Sequence, residues 1–229
     1  MNINQAYLNE FNGLLNDLMK LDIGFKEIHE KCLEIDAGNV FLAGGVVRDL
    51  FRYGKSKPKD IDIFISDTGF KAIEEIINSQ GRRIENPFGT IRWFPNKKDE
   101  FYYDIIIIEK FKNGLWVCED IIDVLNQFDF TANAIAFDLK TGDFYNPLNG
   151  LKHIKKKEFR AVRFDYPEMP VSDTIPISRN SVLWFRYKYY ARKLDLSIEP
   201  LTAKWIEDNA HRNEDLDTFS KFFFNPMNV

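Results

Sequence analysis

The sequence predicts an α/β (α+β) fold built on a mixed β-sheet, and three observations support this class. Between Asn39 and Gln80, strand-like apolar segments alternate with helix-like amphipathic segments, an order typical of α/β domains. Two later pairs of segments rich in β-branched and aromatic residues each flank a polar turn, which predicts two hairpins. Helical periodicity at both ends of the chain predicts helices that precede and follow the sheet.

Two amphipathic helices are predicted ahead of the sheet. Apolar side chains recur there at helical spacing in two groups, Leu8, Phe11, Leu15 and Leu18, then Phe25, Ile28, Cys32 and Leu33. The next four elements alternate in type, with "NVFLA" as a strand, "VVRDLFRY" as a helix, "IDIFI" as a strand and "GFKAIEEIINSQ" as a helix.

The hairpins come next. "TIRWF" and "YYDIIIIE" flank the polar turn segment "PNKKDE", and "AIAFD" and "DFYNP" flank a turn at Lys140, Thr141 and Gly142. The four consecutive isoleucines, Ile105 to Ile108, predict a strand that is covered on both faces. "EFRAVRF" is a further candidate strand.

A change of composition after Arg163 divides the chain. "DYPEMPVSDTIP" holds three prolines in a short polar span, which predicts a connector without regular structure. "NSVLWFRYKYYARKL" and "EPLTAKWIEDNA" predict helices, the second with Pro200 near its start. We therefore expect a main domain with N-terminal helices over residues 1–165, and a linker with a small helical region over residues 166–229.

Composition restricts the class of protein. The 229 residues are 45% hydrophobic and 29% charged, which is typical of a globular chain. The net charge of -4 means that a nucleic acid would have to meet a local basic patch. Cys32 and Cys118 lie far apart and the three histidines are scattered, so the sequence favours neither a disulfide framework nor a zinc site. No segment approaches the roughly 20 apolar residues needed to span a bilayer, so we expect a cytoplasmic protein of undetermined oligomeric state.

One stretch combines groups that suit a metal-bound nucleotide. Asp60 and Asp62 stand one residue apart in a predicted strand, so both carboxylates point to the same side. Their mutual repulsion raises one pKa or calls for a cation such as Mg2+ between them. Gly44 and Gly45 lie between a strand and a helix, where the backbone can approach a phosphate, and Arg48 lies on the first helical turn.

Each of these features also has an ordinary structural interpretation. A lone D-x-D is common in turns, and a glycine pair before a helix is a weak signal by itself. Their order on strand, helix and strand makes the joint interpretation stronger. Asp104 opens the isoleucine strand and is either a third metal-site carboxylate or a solvated strand end.

The motifs resemble a known family. "LAGGVVRDLF" followed by "KDIDIF" is similar to the head domain of bacterial tRNA nucleotidyltransferases and poly(A) polymerases, which belong to the polymerase β-like nucleotidyltransferase superfamily. The segments "FGTIRWF", "DFTANAIAFD", "GDFYNPLNGLKHIKKKEFRAV" and "ARKLDLSIEP" resemble the family's later motifs in the same order. The resemblance implies a nucleotidyltransferase head with a mixed sheet, followed by a helical neck.

The resemblance also implies roles for individual residues. Asp60 and Asp62 would bind Mg2+ or Mn2+, with Asp104 helping to activate the acceptor hydroxyl. The incoming NTP would lie against the residues Gly44, Gly45, Arg48, Asp129, Thr131, Asn133 and Arg186. The three from "DFTAN" have an alternative role, since Asp and Thr commonly cap helices.

The chain departs from the family at several positions. Gln127 and Phe128 stand where the family has two arginines, which removes cationic contacts to a nucleotide. At the two base-recognition positions of the neck the chain carries Asn180 and Leu183, and a leucine side chain cannot hydrogen-bond to a base. CCA addition is therefore in doubt, although a shift of the alignment would let Arg179 serve instead.

We expect a metal-dependent nucleotidyltransferase that moves an NMP from an NTP to a hydroxyl, with an RNA (tRNA-like) 3′ end as the leading acceptor. The alternatives are a small-molecule or protein hydroxyl, or a nucleotide-binding module without turnover. The basic segment "KHIKKKEFRAVR" either follows RNA phosphates or is a solvated surface. The aromatic residues of "WFRYKYYARK" either stack a base or belong to the core.

Overall fold

The computed structural model describes residues 5–21, 23–36, 38–54, 60–85, 90–95, 101–111 and 115–227. The helices are α1 (Gln5–Leu21), α2 (Ile23–Glu34), α3 (Gly45–Tyr53), α4 (Asp67–Ser79), α5 (Ile121–Leu125), α6 (Gly150–Lys155), α7 (Arg179–Lys193), α8 (Pro200–Asp208) and α9 (Leu216–Phe222). The strands are β1 (Val40–Ala43), β2 (Asp60–Ile65), β3 (Arg82–Glu85), β4 (Ile91–Phe94), β5 (Tyr102–Ile107), β6 (Ala136–Asp138), β7 (Phe144–Tyr145), β8 (Glu158–Phe159), β9 (Pro170–Ser172), β10 (Ile175–Ser178) and β11 (Ser197–Ile198). None of the described helices combines the length and the apolar character that a membrane crossing requires.

The main sheet has seven strands in the order β3-β4-β5-β2-β1-β6-β7. β2 and β5 run parallel, whereas the other neighbouring pairs run antiparallel, so the sheet is mixed as predicted. The predicted hairpins β4–β5 and β6–β7 are both present. Part of the polar turn predicted between β4 and β5, residues 96–100, lies outside the described residues.

The isoleucine strand β5 is covered on both faces, as its sequence predicts. Ile105 and Ile107 join the large core cluster that the N-terminal helices, α3 and α4 pack against. Ile106 belongs to a second cluster on the other face, and Ile108, just after the strand, joins it there with α5. This double cover explains the absence of hydrophobic and polar alternation in the "IIII" run.

Of the two predicted N-terminal helices, α1 buries Phe11 and Leu15, and α2 buries Ile28 and Cys32. The burial of Leu18 and Phe25, which belong to the same predicted stripes, lies outside the described side chains. Leu8 is partly buried against the same core, whereas Leu33 of the predicted α2 stripe is 39% exposed, so the predicted apolar faces hold at the described positions except Leu33.

The C-terminal part shares a core with the main domain. Leu183, Tyr187 and Ala191 of α7 belong to the large cluster around the sheet. Trp184 and Phe185 of α7 belong instead to a separate cluster with the fully buried Phe219 of α9. The phenylalanine-rich tail thus packs on its own chain, and the division at residue 165 stays a prediction.

Two local expectations need correction, and one strand was not predicted. The proline-rich segment after Arg163 is not free of regular structure, because β9 and β10 form an antiparallel hairpin within it. The "EFRAVRF" strand is limited to β8, which pairs in parallel with β11. β3 escaped the sequence analysis because all four of its residues are exposed at the sheet edge, which leaves no buried face to produce alternation.

Candidate active site

A cleft of about 1040 Å³ opens between helix α7 and the ends of β1, β2 and β5 where Gly44, Asp62 and Asp104 lie. Nine of the ten predicted site residues line it: Gly44, Gly45, Arg48, Asp60, Asp62, Asp104, Asp129, Asn133 and Arg186. Residues separated by up to 142 positions in sequence are therefore brought to one cavity by the fold.

The glycine pair forms the turn from β1 into α3. Gly44 has φ 75° and ψ −135°, a backbone conformation that side chains other than hydrogen disfavour. A Cβ atom on Gly44 would lie 2.9 Å from Asp62 Oδ2. The carboxylate can therefore lie against this turn because glycine has no side chain. Gly45 then begins α3, and the N–H groups in the first turn of a helix favour the kind of anion that this site is predicted to bind.

The three carboxylates meet through strand register. In the parallel pair β2–β5, Asp62 lies opposite Asp104, and Asp60 lies opposite Tyr102. Burial, followed by the negative charges of Asp60 and Asp104, raises the pKa of Asp62 to about 8. A carboxyl with that pKa is largely protonated at neutral pH until a cation compensates its neighbours.

Two side chains that the sequence analysis missed donate hydrogen bonds to the other two carboxylates, those of Asp104 and Asp60. Arg92 of β4 donates to both oxygens of Asp104, from Nε and Nη2 at 2.9 Å each. The Tyr102 hydroxyl donates to Asp60 Oδ2 at 2.8 Å, and the Arg92 guanidinium lies 4.0 Å from the centre of the Tyr102 ring. The sequence shows that Arg92 lies in the predicted β4–β5 hairpin, which is the one indication that it could lie near Asp104. The register of β4 against β5, which the sequence does not reveal, places it directly opposite that residue.

The carboxylate geometry fits a divalent cation in part. Asp60 and Asp62 project to the same side of β2 and offer the oxygen ligands that Mg2+ and Mn2+ take. Both oxygens of Asp104 already accept a hydrogen bond from Arg92, so a metal ion at Asp104 would compete with that guanidinium for them. Among the described residues no three acidic, histidine or cysteine side chains are already arranged as a metal site, in keeping with this engagement.

A chain of hydrogen bonds joins the predicted phosphate and nucleotide residues. Arg48 Nη1 donates to Asn133 Oδ1 at 2.6 Å, and Asn133 Nδ2 donates to Asp129 Oδ1 at 3.1 Å. Arg186 Nε and Nη2 both donate to Asp129 Oδ2, at 3.0 and 2.5 Å. Arg48 Nε also donates to Asp49 at 2.7 Å, so the Arg48 guanidinium is held from two sides.

Thr131 lies behind the cleft rather than along it. Its hydroxyl pairs with His153 Nδ1 at 2.8 Å, and its side chain is buried. The predicted contact of Thr131 with the nucleotide therefore lacks a direct path in this conformation. The alternative, a helix cap, is wrong for this trio, because residues 131–133 form turns that lead to β6.

Gln127 and Phe128, which replace two arginines of the resembled family, have structural surroundings. Gln127 is fully buried and donates from Nε2 to Trp116 O and Cys118 Sγ, both at 3.1 Å. Phe128 lines the cleft and packs on Phe64, with ring centres 5.7 Å apart. This part of the wall is thus apolar.

Helix α7 forms the wall opposite the carboxylates. Leu183 and Arg179 line the cleft, and burial lowers the pKa of Arg179 below its ordinary value. Asn180 lies outside the cleft lining, and its Nδ2 donates to Tyr166 O at 2.9 Å and to Glu168 Oε1 at 2.6 Å. The two predicted base-recognition positions therefore offer the cleft an apolar side chain and no amide.

Aromatic side chains complete this wall. Tyr189 and Tyr190 line the cleft together with Phe224, and the Tyr189 and Phe224 rings lie 4.4 Å apart. Trp184, Phe185 and the fully buried Tyr187 belong instead to the core. Both interpretations of the aromatic run thus apply, each to a different side of α7.

Comparisons with known proteins agree with this geometry. The model of the Gabija anti-defense 2 protein family matches residues 9–157, more than half of the chain. The CCA-adding enzyme of Streptococcus uberis (strain ATCC BAA-854 / 0140J) is 28% identical over 201 residues, which cover 85% of this chain and 47% of that enzyme. The matched family differs from the tRNA nucleotidyltransferase and poly(A) polymerase family that the motifs resemble.

Solved structures show the same fold. A CCA-adding enzyme in its apo form I superposes with a TM-score of 0.65 at 20% identity, covering 93% of this chain and 46% of that one. The Thermotoga maritima CCA-adding enzyme complexed with tRNA-CCA gives a TM-score of 0.65 at 19% identity, covering 89% and 47%. A tRNA nucleotidyltransferase complexed with a primer tRNA and an incoming ATP analogue gives 0.62 at 19% identity, covering 85% and 54%.

The chain spans about half the length of these relatives. The likeness establishes a nucleotidyltransferase fold with a mixed α/β architecture.

Proposed function

Because this chain belongs to the Gabija anti-defense 2 family and has a nucleotidyltransferase fold, we propose that it transfers an NMP from an NTP to a hydroxyl, with an RNA 3′ end as the acceptor. The observation that carries the proposal is the placement of Asp62 opposite Asp104 and against Gly44. It brings an acidic pair, a third carboxylate and the Gly44–Gly45 turn to one region of the cleft.

In the proposed reaction the acceptor oxygen attacks the α-phosphorus of the NTP. A new P–O bond forms to the acceptor, the bond between the α-phosphorus and its bridging oxygen breaks, and pyrophosphate leaves. Gly44, Gly45 and the first turn of α3 would hold the triphosphate, with Arg48 beside them. Asp104 would accept the hydroxyl proton once Arg92 has moved away from it.

Asp60 and Asp62 are the residues that would hold Mg2+ or Mn2+, with Asp104 available to the same ions. The metal, when bound, would neutralise charge on the attacking and leaving oxygens. Arg92 would act as the internal counter-charge of Asp104 before the substrate arrives, because it already binds both of that carboxylate's oxygens. Its release would then accompany metal and NTP binding.

Selection of the base is expected to differ from that of a CCA-adding enzyme. Leu183 offers no hydrogen bond, and Asn180 is turned to Tyr166 and Glu168, so a switch between CTP and ATP has no matching groups at these positions. Arg179 remains on the cleft wall as a cationic group for a base or a phosphate. We expect a single preferred base or a relaxed preference.

Structurally similar CCA-adding enzymes support RNA as the acceptor, since those enzymes form complexes with tRNA, with ATP and with CTP. The family description adds a setting, because it names anti-defense against Gabija as the family's role. We propose that nucleotidyl transfer is the chemistry behind that role. The second candidate is the alternative that the sequence left open, a small-molecule or protein hydroxyl as acceptor.

The test is to incubate the purified protein with Mg2+, each labelled NTP in turn, and cellular RNA that includes tRNA lacking its 3′ end. Asp60→Asn/Asp62→Asn protein is the matched control, because it keeps the side-chain shapes and removes the charges. Label should enter RNA with the wild type and not with the control, and the preferred NTP should identify the base.

Label in a small molecule or in protein, with none in RNA, would exchange the leading acceptor for the second candidate. NTP binding without transfer to any of these acceptors would leave a nucleotide-binding module and overturn the enzymatic proposal. The three mutually repelling carboxylates argue against that outcome, because such a costly arrangement usually has a chemical use.

A further inference from the structure

A second cavity of about 600 Å³ adjoins the candidate active site; we call it the basic groove. It lies where the ends of α3, α6 and α7 meet. Its lining residues are Phe51, Arg52, Tyr53, Ile154, Lys155, Lys157, Lys193, Leu194 and Asp195. Four cations and a single carboxylate thus line this cavity within the described part of the chain, in a protein whose net charge is -4.

The basic groove lies directly beside the cleft. Tyr53, Lys193 and Leu194 line both cavities. Helix α3 connects the two ends, with Gly45 at the predicted triphosphate site and Arg52 in the basic groove. The separation along the helix is about 10 Å at 1.5 Å per residue, a distance that a few stacked nucleotides of one strand cover.

The cations of the basic groove are weakly engaged by the protein. Arg52 Nε is buried and has no hydrogen-bond partner among the described residues, and Arg52 Nη2 reaches Asp195 O at 3.4 Å. Lys157 forms an exposed 3.5 Å ion pair with Asp195, of a kind that contributes little to stability. An incoming anion can therefore displace these contacts at small cost.

An aromatic side chain stands at the junction of the two cavities. Tyr53 is 52% exposed, and the Arg52 guanidinium lies 5.1 Å from the centre of its ring. Cations that follow a backbone beside an exposed ring are the combination that binds single-stranded nucleic acid, since every base offers a face for stacking. In the proposed reaction the NTP phosphates lie at Gly44 and Gly45, which leaves the cations at the other end of α3 for a different ligand.

We propose that the basic groove binds the phosphates of a single-stranded RNA acceptor, immediately upstream of the 3′ end that enters the active site. The proposal rests on the proposed function for the direction of the strand. The groove contributes to RNA affinity whether or not a nucleotide is added to the strand. The cations that make this contribution are Arg52, Lys155, Lys157 and Lys193. Tyr53 stacks a base at the point where the strand passes into the cleft.

The test compares two variants of equal charge. Lys155→Glu/Lys157→Glu reverses two charges of the basic groove, whereas Lys152→Glu/Lys156→Glu reverses two exposed lysines in and just after α6 that do not line it. The ligand is a short fluorescent RNA that ends in a 3′-deoxynucleotide, so that binding is measured by anisotropy without turnover. Affinity for a fluorescent NTP and the unfolding temperature are measured in parallel.

We expect the groove variant to bind this RNA about tenfold more weakly at low salt, and its plot of log affinity against log salt to lose about 1.4 from its slope. The control variant should stay close to the wild type, and NTP affinity should be unchanged in both. An equal loss of RNA affinity in the two variants, or wild-type protein that does not bind the RNA, would overturn the proposal that the basic groove binds RNA.

These outcomes are separate from those of the proposed function. Groove-dependent RNA binding without label transfer would retain the groove and overturn the reaction. Label transfer to RNA with an unaffected Lys155→Glu/Lys157→Glu variant would retain the reaction and overturn the groove.

Discussion

At the scale of single residues, Gly44 and Asp62 depend on each other. The positive φ of Gly44 lets β1 turn sharply into α3, and the absent Cβ leaves space for Asp62 Oδ2. The sequence showed the glycine pair and the D-x-D motif, but it could not show that one carboxylate lies against the first glycine. That contact depends on the pairing of Ala43 with Asp62 across two strands.

Gly44→Ala is expected to abolish nucleotidyl transfer and to lower the free energy of unfolding by about 1–3 kcal/mol, because it combines backbone strain with a contact against Asp62. Gly142→Ala is the matched control, since Gly142 has φ 76° and nothing within 4 Å of its Cβ position. Urea unfolding and the transfer assay measure the two effects. Full activity in Gly44→Ala would show that the close approach is dispensable.

Arg92 shows why site prediction from sequence stopped short. Motif matching found Asp60, Asp62 and Asp104, since their spacing and order are visible in one chain. Arg92 and Tyr102, which donate hydrogen bonds to Asp104 and Asp60, are placed by strand register, and a sequence motif does not reveal register. Thr131 was misplaced for a related reason, because a turn sets which side chains of "DFTAN" face the cleft.

At the scale of elements, α7 is joined to the sheet domain by the Asp129–Arg186 pair. Asp129 is nearly buried, with 9% of its side chain exposed, and it also accepts hydrogen bonds from Asn133 and from the Phe130 N–H. The helix and the turn before β6 are thereby fixed relative to each other, and both walls of the cleft keep their spacing.

Arg186→Met is expected to destabilise the protein by about 3–5 kcal/mol, because it leaves the Asp129 carboxylate buried without its cation. Asp129→Asn combined with Arg186→Met should recover part of that loss, since the buried charge is gone. Urea unfolding of the two single variants and the double variant measures the coupling. Strict additivity of the three values would mean that the pair does not join the elements.

The predicted elements succeeded where one face or both faces of an element are buried. The order β1-α3-β2-α4 and both hairpins were visible because their apolar residues follow a helical or strand spacing. β3 and the β9–β10 hairpin were missed because β3 is fully exposed and β9 and β10 lie within a proline-rich segment. Strand prediction from sequence depends on local composition, whereas these three strands form because they pair with a neighbouring strand.

At the scale of the whole molecule, helix α9 covers the apolar side chains of α7 that face it. Phe219 of α9 is fully buried and stacks on Phe185 of α7 with ring centres 4.7 Å apart. The sequence left open whether the phenylalanine-rich tail would contact its own core or a partner. In the structure it completes the third core cluster and places Phe223 and Phe224 at the cleft.

Phe219→Ala is expected to lower the free energy of unfolding by about 3–5 kcal/mol, the usual cost of removing a buried phenylalanine side chain. Met227→Ala is the control in the same tail, because Met227 is 65% exposed and its loss should change stability little. Thermal and urea unfolding measure both variants. Equal stability of Phe219→Ala and wild type would contradict the packing of α9.

The parallel pairing of β2 with β5 also has a consequence for how the protein comes into being. Asp60 and Asp62 lie on β2, whereas Asp104 becomes their neighbour only after α4, β3 and β4 have been made and β5 has paired alongside. Such pairing between distant segments is a late event in folding, since a long loop must close first. A nascent chain emerging from the ribosome therefore carries the acidic pair well before the third carboxylate joins it, and synthesis stopped before residue 104 would yield Asp60 and Asp62 without that neighbour.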